Sequence, residues 1–143
     1  ADLTEGEASL IVGKDFIFHS AHYLEGHPHC GEVHGHSYKL RVEIDGPFNE
    51  ETGMVIDFGE VTSAVTLVLS QLDHKLINNI MSVPTAECIV QWLWFKLVYP
   101  LPQLYRLELW ETESSYVSFG GPHTPRLCVQ CGFNKKKASE AIR

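Results

Sequence analysis

The sequence predicts an α+β fold in which helices lie on one face of an antiparallel sheet. Three features of its 143 residues carry that expectation. Strand-like runs stand toward both ends of the chain, two stretches with helical spacing lie together between them, and polar or glycine-containing turns separate the pieces.

Residues 10–18 are rich in β-branched and aromatic side chains and read as the first strand. Residues 37–45 alternate, with Tyr38, Leu40, Val42 and Ile44 on one face, and stop at Gly46-Pro47. Asn49 to Gly53 has the composition of a turn, and residues 54–58 are expected to be a short extended piece. Over residues 59–72, Val61, Ala64, Val65, Val68 and Leu72 recur at helical spacing. Thr85 caps a second helix running to about residue 99, with Pro84 just before it and Glu87 in its first turn. Residues 104–111 and 116–119 form a hairpin around Glu113-Ser114-Ser115. A sheet of this kind has free edges, which assembly often hides.

A chain of this length buries about two thirds of its unfolded surface, enough for a core without disulfide staples. Eleven basic and eighteen acidic residues give a net charge of −7, which excludes a duplex-DNA binder or a basic membrane-surface helix. Five of the basic residues but only Glu140 of the acidic ones lie beyond Phe119. From Gly120 onward the sequence changes character, with Gly-Gly-Pro-His-Thr-Pro, Cys128-x-x-Cys131 and Lys135-Lys136-Lys137. The expected organisation is one domain over residues 1–121 and a C-terminal extension over 122–143. The start, Ala1 to Glu5, lacks a basic segment followed by an apolar run, and the longest apolar stretch, 88–99, is too short to span a bilayer. With only four cysteines, a reducing cytoplasm is the expected compartment, with no membrane partner.

Six of the eight histidines fall between residues 19 and 36. His34 and His36 stand two apart at the start of a strand, so both imidazoles share a face. A third histidine from the end of the preceding strand could complete a three-nitrogen site. Three histidines plus an open position is the pattern of a catalytic zinc. Spacing alone leaves His19, His22, His27 and His29 in competition for the third place. Cys30 is a small buried hydrophobe, a reactive thiolate beside the histidines, or a fourth zinc ligand. Asp73-His74 is either a helix end whose histidine meets the dipole or a carboxylate-oriented proton relay. Glu111, at a strand end, is a bland exposed carboxylate or an acceptor for a fork of N–H donors.

Six motifs in order resemble the 6-pyruvoyl-tetrahydropterin synthase / 6-carboxy-tetrahydropterin synthase family. They are Phe18-His-Ser-Ala-His22-Tyr-Leu, Cys30-x-x-x-His34-Gly-His36-Ser-Tyr, Gly53-Met-Val-Ile-Asp57-Phe, Leu72-Asp73-His74, Pro84-Thr85-Ala86-Glu87 and Trp110-Glu111-Thr112. The resemblance implies the tunnelling fold (T-fold), a four-stranded antiparallel sheet with two helices on one face. Trimers of such chains close into a barrel, and two trimers stack as a homohexamer. It implies Zn2+ held by His22, His34 and His36. It makes Cys30 the catalytic thiol, and Asp73 and His74 the rest of the proton-transfer set, supplied from a neighbouring protomer. Glu111 then anchors the pterin's guanidine edge, with Thr85 and Glu87 assisting. Three residues between Cys30 and His34 look like the 6-carboxy branch of queuosine and 7-deazapurine biosynthesis, as does Pro-Thr-Ala-Glu. The implied reaction takes 7,8-dihydroneopterin triphosphate to 6-carboxy-5,6,7,8-tetrahydropterin, acetaldehyde and triphosphate, with no nucleic acid as partner. The alternatives are the pyruvoyl synthase reaction and a T-fold protein that binds zinc or pterin without turnover.

Overall fold

A computed structural model describes residues 9–120, so the expected extension over 122–143 lies outside the described residues. Four strands form one sheet in the order β1-β2-β3-β4, every neighbouring pair antiparallel. They are β1 (Ser9–His22), β2 (His34–Pro47), β3 (Leu104–Trp110) and β4 (Tyr116–Gly120). Between β2 and β3 the chain builds α1 (Phe58–Leu69), a short 3-10 turn (Ile77–Asn79) and α2 (Ala86–Leu97). Among the described residues, no helix is long and apolar enough to cross a membrane.

The strand alternation expected for β2 is realised. Tyr38, Leu40, Val42 and Ile44 are buried, and they meet Val61, Val65, Val68, Ile89, Leu93 and Leu97 from the helices in one core. Each such aliphatic side chain contributes on the order of 1.5–3 kcal/mol when fully buried. Asp57 caps α1, its Oδ1 accepting from the Gly59 N–H at 2.7 Å, and Thr85 caps α2, its Oγ1 accepting from the Cys88 N–H at 3.2 Å. Trp94 closes the far end edge-on against Phe119, with centroids 5.7 Å apart.

The sheet's other face carries charge. Arg41 grips Asp15 across β1 and β2 with two hydrogen bonds of 2.8 and 3.1 Å, and Arg106 pairs with Glu43 at 2.5 Å across β2 and β3. That first bond, from the Arg41 guanidinium, holds the Asp15 carboxyl below the ordinary range.

Two expectations need correction. Residues 54–58, expected as a short extended piece, join no strand, and Phe58 already belongs to α1. The Asn49 side chain accepts the Glu51 and Thr52 N–H groups, and Gly53 N–H closes back onto the Asn49 carbonyl, a turn that leads through a bend at Val55-Ile56 to the Asp57 cap of α1. The other correction concerns strand length, since β1 and β2 reach the histidines themselves, with His22 paired directly opposite His34. Polar residues at the strand ends hide this extension from a pattern of apolar alternation.

Candidate metal centre and its surroundings

His22 ends β1, His34 begins β2 opposite it, and His36 follows two residues later on the same face. The three rings stand edge to face, with centroids 4.6, 5.0 and 4.9 Å apart, and one ligand nitrogen from each lies within 4.8 Å of the others. Two of the rings are oriented by main-chain carbonyls. His22 Nδ1 is 2.7 Å from the Pro84 carbonyl and His34 Nδ1 is 2.8 Å from the Glu32 carbonyl. A carbonyl only accepts, so both Nδ1 atoms carry the proton and both Nε2 atoms keep a free lone pair. The Nε2 atoms of His22 and His36 are buried without a hydrogen-bond partner. A buried nitrogen left so costs about 1–3 kcal/mol, which a shared cation removes. Burial, with His22 and His34 adding to it, pushes the His36 pKa down against the opposing pull of Glu111. The neutral ring is the ligating form. The donors therefore fit a metal ion with three nitrogens and an open position. Among the described residues, this is the group of three potential ligands that converges.

Of the four histidines competing for the third place, His22 is the one that converges with His34 and His36. His19 has the opposite strand parity, and its Nδ1 lies 2.9 Å from Ser37 Oγ. His27 and His29 stay in the loop between the strands, which also carries Cys30, a half-buried free thiol.

Glu111 follows β3 directly and sets its Oε1 3.7 Å from His36 Nε2. Its N–H donates to the Ser115 carbonyl at 3.1 Å, which ties the carboxylate to the hairpin expected there. Tyr38 lies beside His36 with a hydroxyl buried and unpartnered, and burial, with the Glu111 charge adding to it, pushes the phenol pKa up.

Asp73 and His74 form a pair, and β1 holds it. Asp73 Oδ1 accepts the His19 N–H at 2.8 Å, while Oδ2 lies 3.0 Å from His74 Nδ1. The His74 N–H returns to the His19 carbonyl at 2.5 Å, with the backbone at φ 59°, a conformation that costs a non-glycine residue on the order of 1–3 kcal/mol. The His19 N–H, followed by His74, holds the Asp73 carboxyl below its ordinary range. The His74 side chain is 76% exposed. It lines a cavity of about 530 Å³ together with His19, Gly35, His36, Ser37 and Lys75, so His74 and one ring of the histidine cluster, His36, border one space.

Thr85 sits at the α2 N-terminus, one residue after the carbonyl that holds His22, whereas Glu87 is exposed in the first turn. Two positioning devices had no sequence signal. The Pro84 and Glu32 carbonyls are backbone groups and leave no trace in residue type. Asn78 donates to the Tyr23 carbonyl and accepts its N–H, both at 3.0 Å, and so pins the residue after His22.

A family model described as 6-pyruvoyl tetrahydropterin synthase matches residues 11–122. The chain belongs to that family. A 6-carboxy-5,6,7,8-tetrahydropterin synthase of Synechocystis is 35% identical over 126 residues, covering 82% of this chain and 98% of the relative. An enzyme of the same name from Haemophilus influenzae is 32% identical over 136 residues, covering 76% and 96%. The solved structure of Caenorhabditis elegans 6-pyruvoyl tetrahydropterin synthase superposes with a TM-score of 0.75 at 22% identity, over 80% of this chain and 97% of that one. The sheet and helices described above are thus the T-fold of the pterin synthase family.

Proposed function

We propose that this chain is a zinc-dependent 6-carboxy-5,6,7,8-tetrahydropterin synthase serving queuosine and 7-deazapurine biosynthesis. The observation that carries the proposal is the convergence of one ring nitrogen each from His22, His34 and His36, beside a loop that leaves three residues between Cys30 and His34. The reaction converts 7,8-dihydroneopterin triphosphate and one water to 6-carboxy-tetrahydropterin, acetaldehyde and triphosphate. Electrons leaving the side chain enter the pterin ring, so no external redox cofactor is needed.

His22, His34 and His36 hold the ion. Zinc, when bound, supplies Lewis acidity toward the oxygens of the substrate side chain. Glu111 accepts paired N–H groups from the pterin's guanidine edge, and Thr85 and Glu87 add polar contacts at the start of α2. Cys30 and His74 move protons to and from the side-chain carbons and oxygens, with Asp73 fixing the His74 ring. The exposure of His74 supports its use across a protomer boundary in a homohexamer whose free β1 and β4 edges pair into barrels. Sedimentation at the monomer mass would remove that assembly. The synthase domain is assigned to residues 1–121, and the reaction to the cytoplasm.

The deciding experiment incubates purified, zinc-loaded protein with 7,8-dihydroneopterin triphosphate and reads products by mass spectrometry. The expected result is 6-carboxy-tetrahydropterin with stoichiometric acetaldehyde. A 6-pyruvoyl product without acetaldehyde moves the chain to the pyruvoyl branch. Binding without turnover makes it a pterin- or zinc-binding protein.

A further inference from the structure

The loop that joins β1 to β2 has a hub. His27 Nδ1 accepts two successive main-chain N–H groups, from His29 at 3.2 Å and from Cys30 at 3.0 Å. Between them and the ring stands Pro28, which has no N–H to offer. Two further bonds close the loop around this hub. Leu24 N–H donates to the Cys30 carbonyl at 2.7 Å, and His27 N–H donates to the Leu24 carbonyl at 3.2 Å. Immediately after Cys30, a Cβ at Gly31 would sit 2.9 Å from the His27 carbonyl oxygen, so the backbone there approaches too closely for any larger residue. The hub ring is exposed and contributes no burial to the core. Its role lies in the acceptor nitrogen.

We infer that His27 is a positioning residue for Cys30: its Nδ1 ties down the amides of His29 and Cys30 and thereby fixes where the thiol stands relative to the histidine centre. The inference rests on the proposed role of Cys30 as the proton-moving thiol. Because Nδ1 accepts, it bears no proton in this arrangement and the ring N–H is at Nε2. An asparagine carries its Oδ1 the same number of bonds from the backbone and accepts N–H groups in the same way. Alanine and phenylalanine cannot. A thiol on a loosened loop spends less time in reach of the atom it serves, and misplacement by about 1 Å can cost about 10²-fold in turnover.

The test compares the zinc-loaded wild type with His27→Ala, His27→Phe and His27→Asn. Hydrogen exchange of the peptide spanning residues 24–31 is measured beside kcat, KM and bound zinc. In His27→Ala and His27→Phe, this peptide is expected to exchange about fivefold to tenfold faster, the factor one net hydrogen bond supports. Turnover is expected to fall at least tenfold with KM within threefold and zinc stoichiometry unchanged. His27→Asn is expected to restore both slow exchange and most of kcat. Wild-type exchange and kcat in His27→Ala overturn the inference, and so does an asparagine variant as impaired as the alanine one. Full turnover by Cys30→Ala would instead overturn the catalytic role of the thiol. The exchange of residues 24–31 would still report whether His27 holds the loop, so the two failures are distinguishable.

Discussion

The nitrogen that His34 turns away from the Glu32 carbonyl is the one a metal ion needs. His34→Ala is therefore expected to drop bound zinc well below one equivalent and to lose activity in parallel, measured by elemental analysis beside turnover. Full zinc with full activity would remove His34 from the ligand set. Glu111 stands in a different relation to the centre, 3.7 Å from a ligand nitrogen and 29% exposed. Losing charge-assisted hydrogen bonds costs about 1.5–3 kcal/mol, so Glu111→Ala is expected to raise KM or the pterin Kd at least tenfold while bound zinc stays near stoichiometric. Unchanged kcat and KM would sink the anchoring role. Parts of this site could be read from residue spacing. His34 and His36 are two apart, and strand periodicity alone puts them on one face. His22 could not be singled out that way, because its selection depends on β1 running to its last histidine and pairing His22 with His34. His27 had no reason to be distinguished from His29, since what sets it apart is which amides its ring faces.

At the scale of elements, local chemistry decided what was legible. The start of α2 was marked by the Thr85 cap and by Glu87 in the first turn, and α1 by its apolar spacing alone, its Asp57 cap being read as part of an extended piece. Asp57 caps α1 and lies well beyond His22, His34 and His36 in sequence. Asp57→Ala is expected to cost about 1 kcal/mol of stability, seen as a lower Tm, with zinc content and KM unchanged. A drop in zinc content would show that α1 reaches the site. Residues 54–58 were read as extended because Met54, Val55, Ile56 and Phe58 suit a strand, whereas Asp57 is the cap that starts α1. The α1 spacing overran its helix for a related reason. Leu72 is buried, but it stands in turns after Leu69, where Leu72 and Asp73 N–H groups both return to the Leu69 carbonyl.

For the molecule as a whole, acid stability follows from the charged sheet face and the Asp73 loop. Asp15 and Asp73 both have folded-state pKa values below the ordinary 3.8. A depressed carboxylate contributes stability that is complete above the unfolded value and disappears as pH falls through the folded one. Both groups are exposed enough that solvent screens the gain, so the effect is expected to be modest. The Tm advantage of wild type over Asp15→Asn is expected to be present at pH 6 and to vanish toward pH 2, and an advantage that survives pH 2 would contradict the assignment to Arg41. The order of elements and the helix-covered face were legible from composition and periodicity. The free edges pointed to assembly, while the Asp73-His74 hold on β1 is a long-range contact that no local pattern encodes. The pairing of His22 with His34 carries one more consequence, for how the sheet finds its alignment. A slip of one residue between β1 and β2 would send alternate side chains to the wrong side and leave the histidines facing apart. An ion that needs all three nitrogens together can bind only the correctly aligned hairpin. On the proposed zinc role, capture of the ion would favour the one alignment from which the core and the three-histidine cluster are both assembled.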